Sequence, residues 1–198
     1  SRETFLLGNN LLLTVFMVLV LAGTLAPLIY DALGWGKISV GFPWFNKMFV
    51  MLAPFLALLM GFGPLARWKH NEPGELLRQT RWALVLSLAI GLLTLLPGLA
   101  DGNLMVALAA GLTVWLVATH LQSLRKRLRN KQGLKGMLGD VAGGGRSYYG
   151  MLLAHMGVAM FIVGATMVSH YGVEKDIRMS PGDSAELSGF RFLFEGVE

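Results

Sequence analysis

The chain has 198 residues, of which 54% are hydrophobic and only 15% charged, with a formal net charge of +5. An ordinary soluble domain carries roughly 25% charged residues; here the few charges cluster between long apolar runs, which excludes a conventional soluble globule and indicates a polytopic membrane protein. With no cysteine, a disulfide framework, a thiolate metal site and a cysteine nucleophile are excluded as well.

A helix needs about 20 apolar residues to cross a ~30 Å hydrocarbon core. Five stretches meet that requirement: residues 9–30, 45–66, 82–100, 104–120 and 148–169. None contains Asp, Glu or Arg, and the one lysine, Lys47, sits at the mouth of the second. A helix satisfies its own backbone polar groups in lipid, and Pro27, Pro54 and Pro97 are tolerable near ends or as kinks. The expected fold is an all-α polytopic membrane bundle of five transmembrane helices over residues 1–170. The first residue is Ser1, and the chain ends in a strand-like pattern, so an interior piece of a larger membrane protein is expected.

The first span is preceded by Arg2 and followed by an outer loop, 31–44, which carries Trp35, Phe42 and Trp44 with Phe45 just beyond. Such rings suit the membrane interface; a docking surface for a partner or a flat aromatic ligand is the alternative. Arg67, Lys69, Arg78 and Arg81 lie between spans two and three, with His70 among charges and expected to be solvated. The outer connection 99–103 makes spans three and four a tight hairpin. His120 ends the fourth span, where its ring can snorkel to the inner boundary.

The basic run 125–135 follows. It lacks interleaved aromatics and reads as a topology and lipid-headgroup anchor, with no nucleic-acid partner. Gly143-Gly144-Gly145 lacks the Lys-Ser/Thr sequel of a phosphate loop and does not follow a strand; a flexible hinge before the fifth span is expected. Counting loops alternately, one side holds 12 basic and four acidic residues (+8) and the other five basic and eight acidic (−3). The excess of Lys and Arg places the N-terminus in the cytoplasm and the C-terminal tail outside.

The fifth span holds His155, about seven residues from its inner end, or on the order of 10 Å deep at ~1.5 Å per residue. Intramembrane ionisable residues are rare and face a partner, a cavity or a cofactor. Gly150, Ala154, Gly157 and Gly164 form a small-residue stripe suited to close helix packing. His155 projects away from it, flanked by Met151, Val158, Ile162 and Thr166. Three readings stay open for this imidazole: an axial ligand for haem iron, a structural hydrogen bond to another helix, or a proton relay. No second deep histidine and no intramembrane carboxylate is expected, so a second ligand would come from outside the chain. His170, at the outer end, is placed for an external ligand without requiring one.

The tail, 171–198, changes character. Pro181-Gly182-Asp183 is a turn signal, and Phe190, Phe192 and Phe194 alternate with Arg191 and Leu193 as in a strand. The start of a small β-rich external domain is expected.

Three segments taken in order resemble the CcmF family, the membrane haem lyase subunits of bacterial cytochrome c maturation. They are Arg2 to Asn10, Ala154-His155-Met156-Gly157-Val158, and Glu174 to Asp183. The resemblance covers essentially the whole chain, as part of the family's C-terminal half. It implies a multi-pass protein of the bacterial inner membrane with a periplasmic tail, forming part of a holocytochrome c synthase complex. It also implies a b-type haem held by two histidines on different helices, His155 corresponding to the more C-terminal of them. That haem would draw electrons from quinol and reduce incoming haem during its attachment to apocytochrome c. The implied partners are a periplasmic haem chaperone, apocytochrome c, other haem lyase subunits, and the remaining N-terminal part of the same protein or a separate subunit.

The chain lacks the family's tryptophan-rich external segment, its flanking external histidines and the other intramembrane histidine, so lyase chemistry is not expected in this stretch alone. The competing classes are a transporter or channel half, disfavoured by the lack of paired charges in any span, and a structural assembly subunit without a cofactor.

Overall fold

The computed structural model describes residues 2–66, 73–130, 136 and 139–197. His70 and part of the basic run, 131–135, lie outside the described residues. Among those described are five helices long and apolar enough to cross a membrane. They are α1 (Arg2–Ala32), α2 (Phe42–Phe62), α3 (Pro73–Leu93), α4 (Leu104–Asn130) and α5 (Arg146–Tyr171), followed by strands β1 (Ser184–Leu187) and β2 (Phe190–Leu193). The chain is a mainly helical membrane-type bundle with a small sheet at its C-terminal end.

Helices α1, α3 and α4 each extend beyond the hydropathy reading at one end, for one reason. Charged residues end an apolar run but do not end a helix, because Arg, Glu, Gln and Lys are good helix formers. Helix α3 therefore starts at Pro73, where a missing N–H costs nothing, and Glu75 in its first turn pairs with Arg78. It stops at Leu93, before Pro97. Residues 94–103 form tight turns with positive φ at Gly98, Asp101 and Gly102. Likewise α4 runs ten residues past His120. Its start is capped by Asn103, whose Oδ1 accepts from the N–H of Met105 at 2.9 Å.

Helix α4 is the hub, packing against α2, α3 and α5, while α1 packs on α2. The core joins Ala57, Ala83, Leu112, Trp115, Leu116 and Ala159. The α3–α4 hairpin closes at glycines: a Cβ on Gly91 would stand 3.0 Å from the Ala107 carbonyl oxygen, and one on Gly111 3.2 Å from that of Ser87. Small residues permit this backbone approach, which substitutes for the hydrophobic driving force that lipid removes. Helices α1 and α2 are joined by ring contacts, Phe5 on Phe62 at 5.6 Å and Phe16 on Phe49 at 5.0 Å.

Trp115 fixes α4 to α2. Its ring is 1% exposed, its Nε1 donates to the Leu58 carbonyl at 3.2 Å, and its face lies against Gly61, where a Cβ would overlap the indole. Gly61→Ala is expected to lower stability by about 1–3 kcal/mol, the usual cost of overpacking. Thermal unfolding in detergent checks this, and an unchanged midpoint would show that the contact is loose.

The small stripe of α5 does not pack within the bundle: Gly150, Gly157 and Gly164 have open space where a Cβ would stand. The triple glycine is likewise not a hinge loop. Residues Val141–Gly145 form a π-helical turn that leads directly into α5. A Cβ on Gly145 would meet the Asp140 carbonyl oxygen at 2.7 Å, so this wide turn needs glycine there.

Between α1 and α2, Trp35 is exposed, as are Phe42 and Trp44 in the first turn of α2, although the Trp44 ring touches Gly23 of α1. In the tail, β1 and β2 pair antiparallel with Glu186 opposite Arg191. The turn residues Ser188 and Gly189 both have positive φ, as a two-residue hairpin turn that matches strand twist requires.

Candidate cofactor site

His155 lies on the inward face of α5, half-buried with Met151, Val158, Ile162 and Thr166, the flank read from the helical period. Opposite it stands His120. The expectation that His120 snorkels at a boundary, and that no second deep histidine exists, is corrected here. His120 is 0% exposed, and its Nε2 lies 2.6 Å from His155 Nδ1, with the rings edge to face at 4.8 Å. The physical reason is the continuation of α4 to Asn130, which keeps His120 within the helix rather than at its end. Trp115, Leu116, Thr119, His120 and Ser123 form one buried stripe. The three-to-four-residue spacing of that stripe was the available signal in the sequence.

Below the pair, toward the end of the bundle that carries Arg2 and Arg127, lies a cavity of about 530 Å³. His155 lines it together with apolar groups of α1, α2 and α5, among them Phe5, Leu6, Leu59 and Met151. Tyr148, Arg2 and Arg127 line it as well.

The polar lining is held in place. Arg127 Nε donates to Asp140 Oδ2 at 2.7 Å, its guanidinium lies 4.3 Å from the Tyr148 ring centre, and the Tyr149 hydroxyl donates to the same carboxylate at 3.2 Å. The Tyr148 hydroxyl meets Ser123 Oγ at 2.9 Å. The glycine turn brings Asp140 to this position. A volume of this size suits a cofactor-scale ligand. One imidazole, apolar walls and guanidiniums for carboxylate groups fit an amphiphilic tetrapyrrole.

The arrangement offers one imidazole, that of His155, to the cavity. An iron between two imidazole nitrogens needs about twice a ~2 Å metal–nitrogen bond, and the 2.6 Å contact between His120 and His155 leaves no such room. Among the described residues no cluster of three metal-ligating side chains occurs. At the C-terminal end of α5, His170 Nδ1 accepts from Asn103 Nδ2 at 3.3 Å, and the Tyr171 hydroxyl donates to the Leu99 carbonyl at 3.2 Å. His170 thus ties α5 to the hairpin turn, far from the cavity.

No family model and no solved structure matches the chain. Among curated proteins, a "Cytochrome c-type biogenesis protein CcmF" of Escherichia coli (strain K12) is 39% identical over 198 residues. One of Pseudomonas fluorescens is 38% identical over 200 residues. Each similarity takes in 100% of this chain and 29% of the relative. A protein named NrfE of Haemophilus influenzae is 29% identical over 199 residues, across 98% of this chain and 29% of its own length. The chain thus spans less than a third of the relatives it matches, and over that span it belongs to the CcmF family of cytochrome c-type biogenesis proteins.

Proposed function

We propose that this chain is the haem-carrying membrane portion of a cytochrome c maturation haem lyase, with His155 supplying an axial ligand through Nε2 to a b-type haem in the cavity. The observation that carries the proposal is the state of the His155 ring. It lines a cofactor-sized cavity with Nδ1 engaged by His120. When bound, the group would supply electrons, drawn from quinol, to reduce the iron of incoming haem so that apocytochrome cysteine thiols can add to the vinyl groups of that haem.

The chain's own residues bind and orient. Leu6, Leu59 and Met151 exclude water, and Arg127, its Nε held by Asp140, offers its remaining N–H donors to carboxylates. A second residue to hold the group would come from outside the described residues. The haem chaperone, apocytochrome c, the other lyase subunits and the rest of the protein are the partners this reading requires.

The test is the reduced-minus-oxidised absorbance of the purified full-length complex. A bis-histidine b-type spectrum that disappears in His155→Ala and persists in His170→Ala supports the proposal. A second reading, in which His155 only ties α5 to α4, is favoured by the same 2.6 Å hydrogen bond. A haem-free complex that matures cytochrome c normally would select it.

The reading also places the Arg2 end in the cytoplasm and the hairpin outside the bacterial inner membrane. This stretch has no cysteine, so a cysteine introduced into it reports on one position, provided that any cysteine elsewhere in the protein is replaced first. Val173→Cys is expected to react with an impermeant maleimide in intact spheroplasts, and Lys126→Cys only after permeabilisation. The reverse pattern inverts the topology.

A further inference from the structure

We infer that His120 is a positioning residue: it holds the His155 imidazole as the Nδ1–H tautomer and leaves Nε2 as the lone-pair nitrogen. This rests on the ligand reading above. The chain of donors starts at a backbone carbonyl, which can only accept. His120 Nδ1 is 2.7 Å from the Leu116 oxygen, so Nδ1 carries the proton. Thr119 Oγ1 stands 3.4 Å from the same nitrogen and gives its own proton to the Trp115 carbonyl at 2.7 Å. It too can only accept from His120, and both contacts specify one tautomer.

A neutral imidazole has one N–H, and its other nitrogen accepts. His120 Nε2 is therefore the acceptor in the 2.6 Å contact, and His155 Nδ1 is the donor. The neutral His155 ring then has no proton on Nε2, so that nitrogen can bind a metal without first losing one. No water competes at His120, which is fully buried on the hub helix.

An acceptor on the far nitrogen of a ligating imidazole fixes its orientation and raises its basicity. Greater basicity favours ferric over ferrous iron, so the contact should hold the potential down. The fourth helix thus tunes the ligand of the fifth without touching the iron.

The test compares two substitutions at one position in the full-length complex. His120→Gln keeps an acceptor oxygen within reach of His155, and His120→Leu does not. The readouts are haem content and midpoint potential, neither of which depends on lyase turnover. Removing the acceptor is expected to shift the equilibrium toward ferrous haem by about tenfold, ~59 mV for one electron, or to weaken haem binding by roughly 10–100-fold. His120→Gln should stay close to the wild type in both. Equal behaviour of the Leu and Gln variants, in potential or in haem loss, overturns the inference. Failure of the ligand reading is seen separately, as a b-type spectrum that survives in His155→Ala.

Discussion

His155→Ala in the full-length complex is expected to abolish the b-type difference spectrum while the protein still inserts and assembles. The ring is half-buried at the cavity wall, so its removal enlarges an existing space rather than opening a sealed core. The cost to folding should be modest, within about 1–2 kcal/mol, because little of α5 is buried within the bundle. The cost to haem should exceed the roughly 10–100-fold expected for an outer-shell group, since the iron–nitrogen bond itself is lost. Truncation also leaves His120 Nε2, a buried acceptor, without its donor.

His155→Gly with added imidazole sharpens the experiment. A free imidazole has the size and chemistry of the missing side chain, so partial return of the absorbance is expected as its concentration rises. Haem retained in His155→Ala at wild-type occupancy would falsify the ligand assignment. His170→Ala serves as control, because His170 bonds to Asn103 at the opposite end of the helix.

Trp115→Ala is expected to have the largest effect on stability of any single substitution in the described bundle. The indole is nearly inaccessible, packs edge to face on Phe62 at 4.7 Å, and bonds the Leu58 carbonyl. Burying an aromatic ring that is then deleted costs about 3–5 kcal/mol in soluble cores. In lipid the transfer share of that figure shrinks, and the packing and cavity share remains, so about 3 kcal/mol is expected. The loss should propagate to the cavity, because Leu59 and Met60 line it on the same turn of α2 that Trp115 supports. The measurements are thermal unfolding in detergent and haem occupancy of the same preparation. Trp115→Phe should recover most of the packing but not the hydrogen bond. A Trp115→Ala protein with wild-type midpoint and occupancy would refute the view of α4 as the hub.

How far the fold was legible follows from particular residues. Five helices were readable because apolar runs of about 20 residues have one economical solution in lipid. The limits of α3 and α4 were not, because hydropathy measures where a chain prefers hydrocarbon, whereas Arg78 and Lys126 continue a helix beyond it. The second strand was readable from the alternating phenylalanines and the turn before the sheet from Pro181-Gly182, whereas the first strand, Ser184–Leu187, and the hairpin turn at Ser188-Gly189 carry no comparable pattern. The glycine run was read as a hinge, since glycine frees the backbone; the structure spends that freedom on a π-helical turn that carries Asp140 to Arg127.

The amino-acid sequence by itself determined the class of protein, the number of membrane-length helices, which residues of α5 share a face with His155, and the isolation of His155 as the residue to question. These are properties of single helices, governed by composition and a ~100° step per residue. The tertiary structure alone decided what His155 faces. His120 lies 35 residues away on another helix, and no local period relates two helices. Their meeting depends on the α3–α4 crossing at Gly91 and Gly111, on Trp115 against Gly61, and on the extension of α4 past its apolar run. Contact across helices follows from packing, and packing sums many weak terms that no single segment carries.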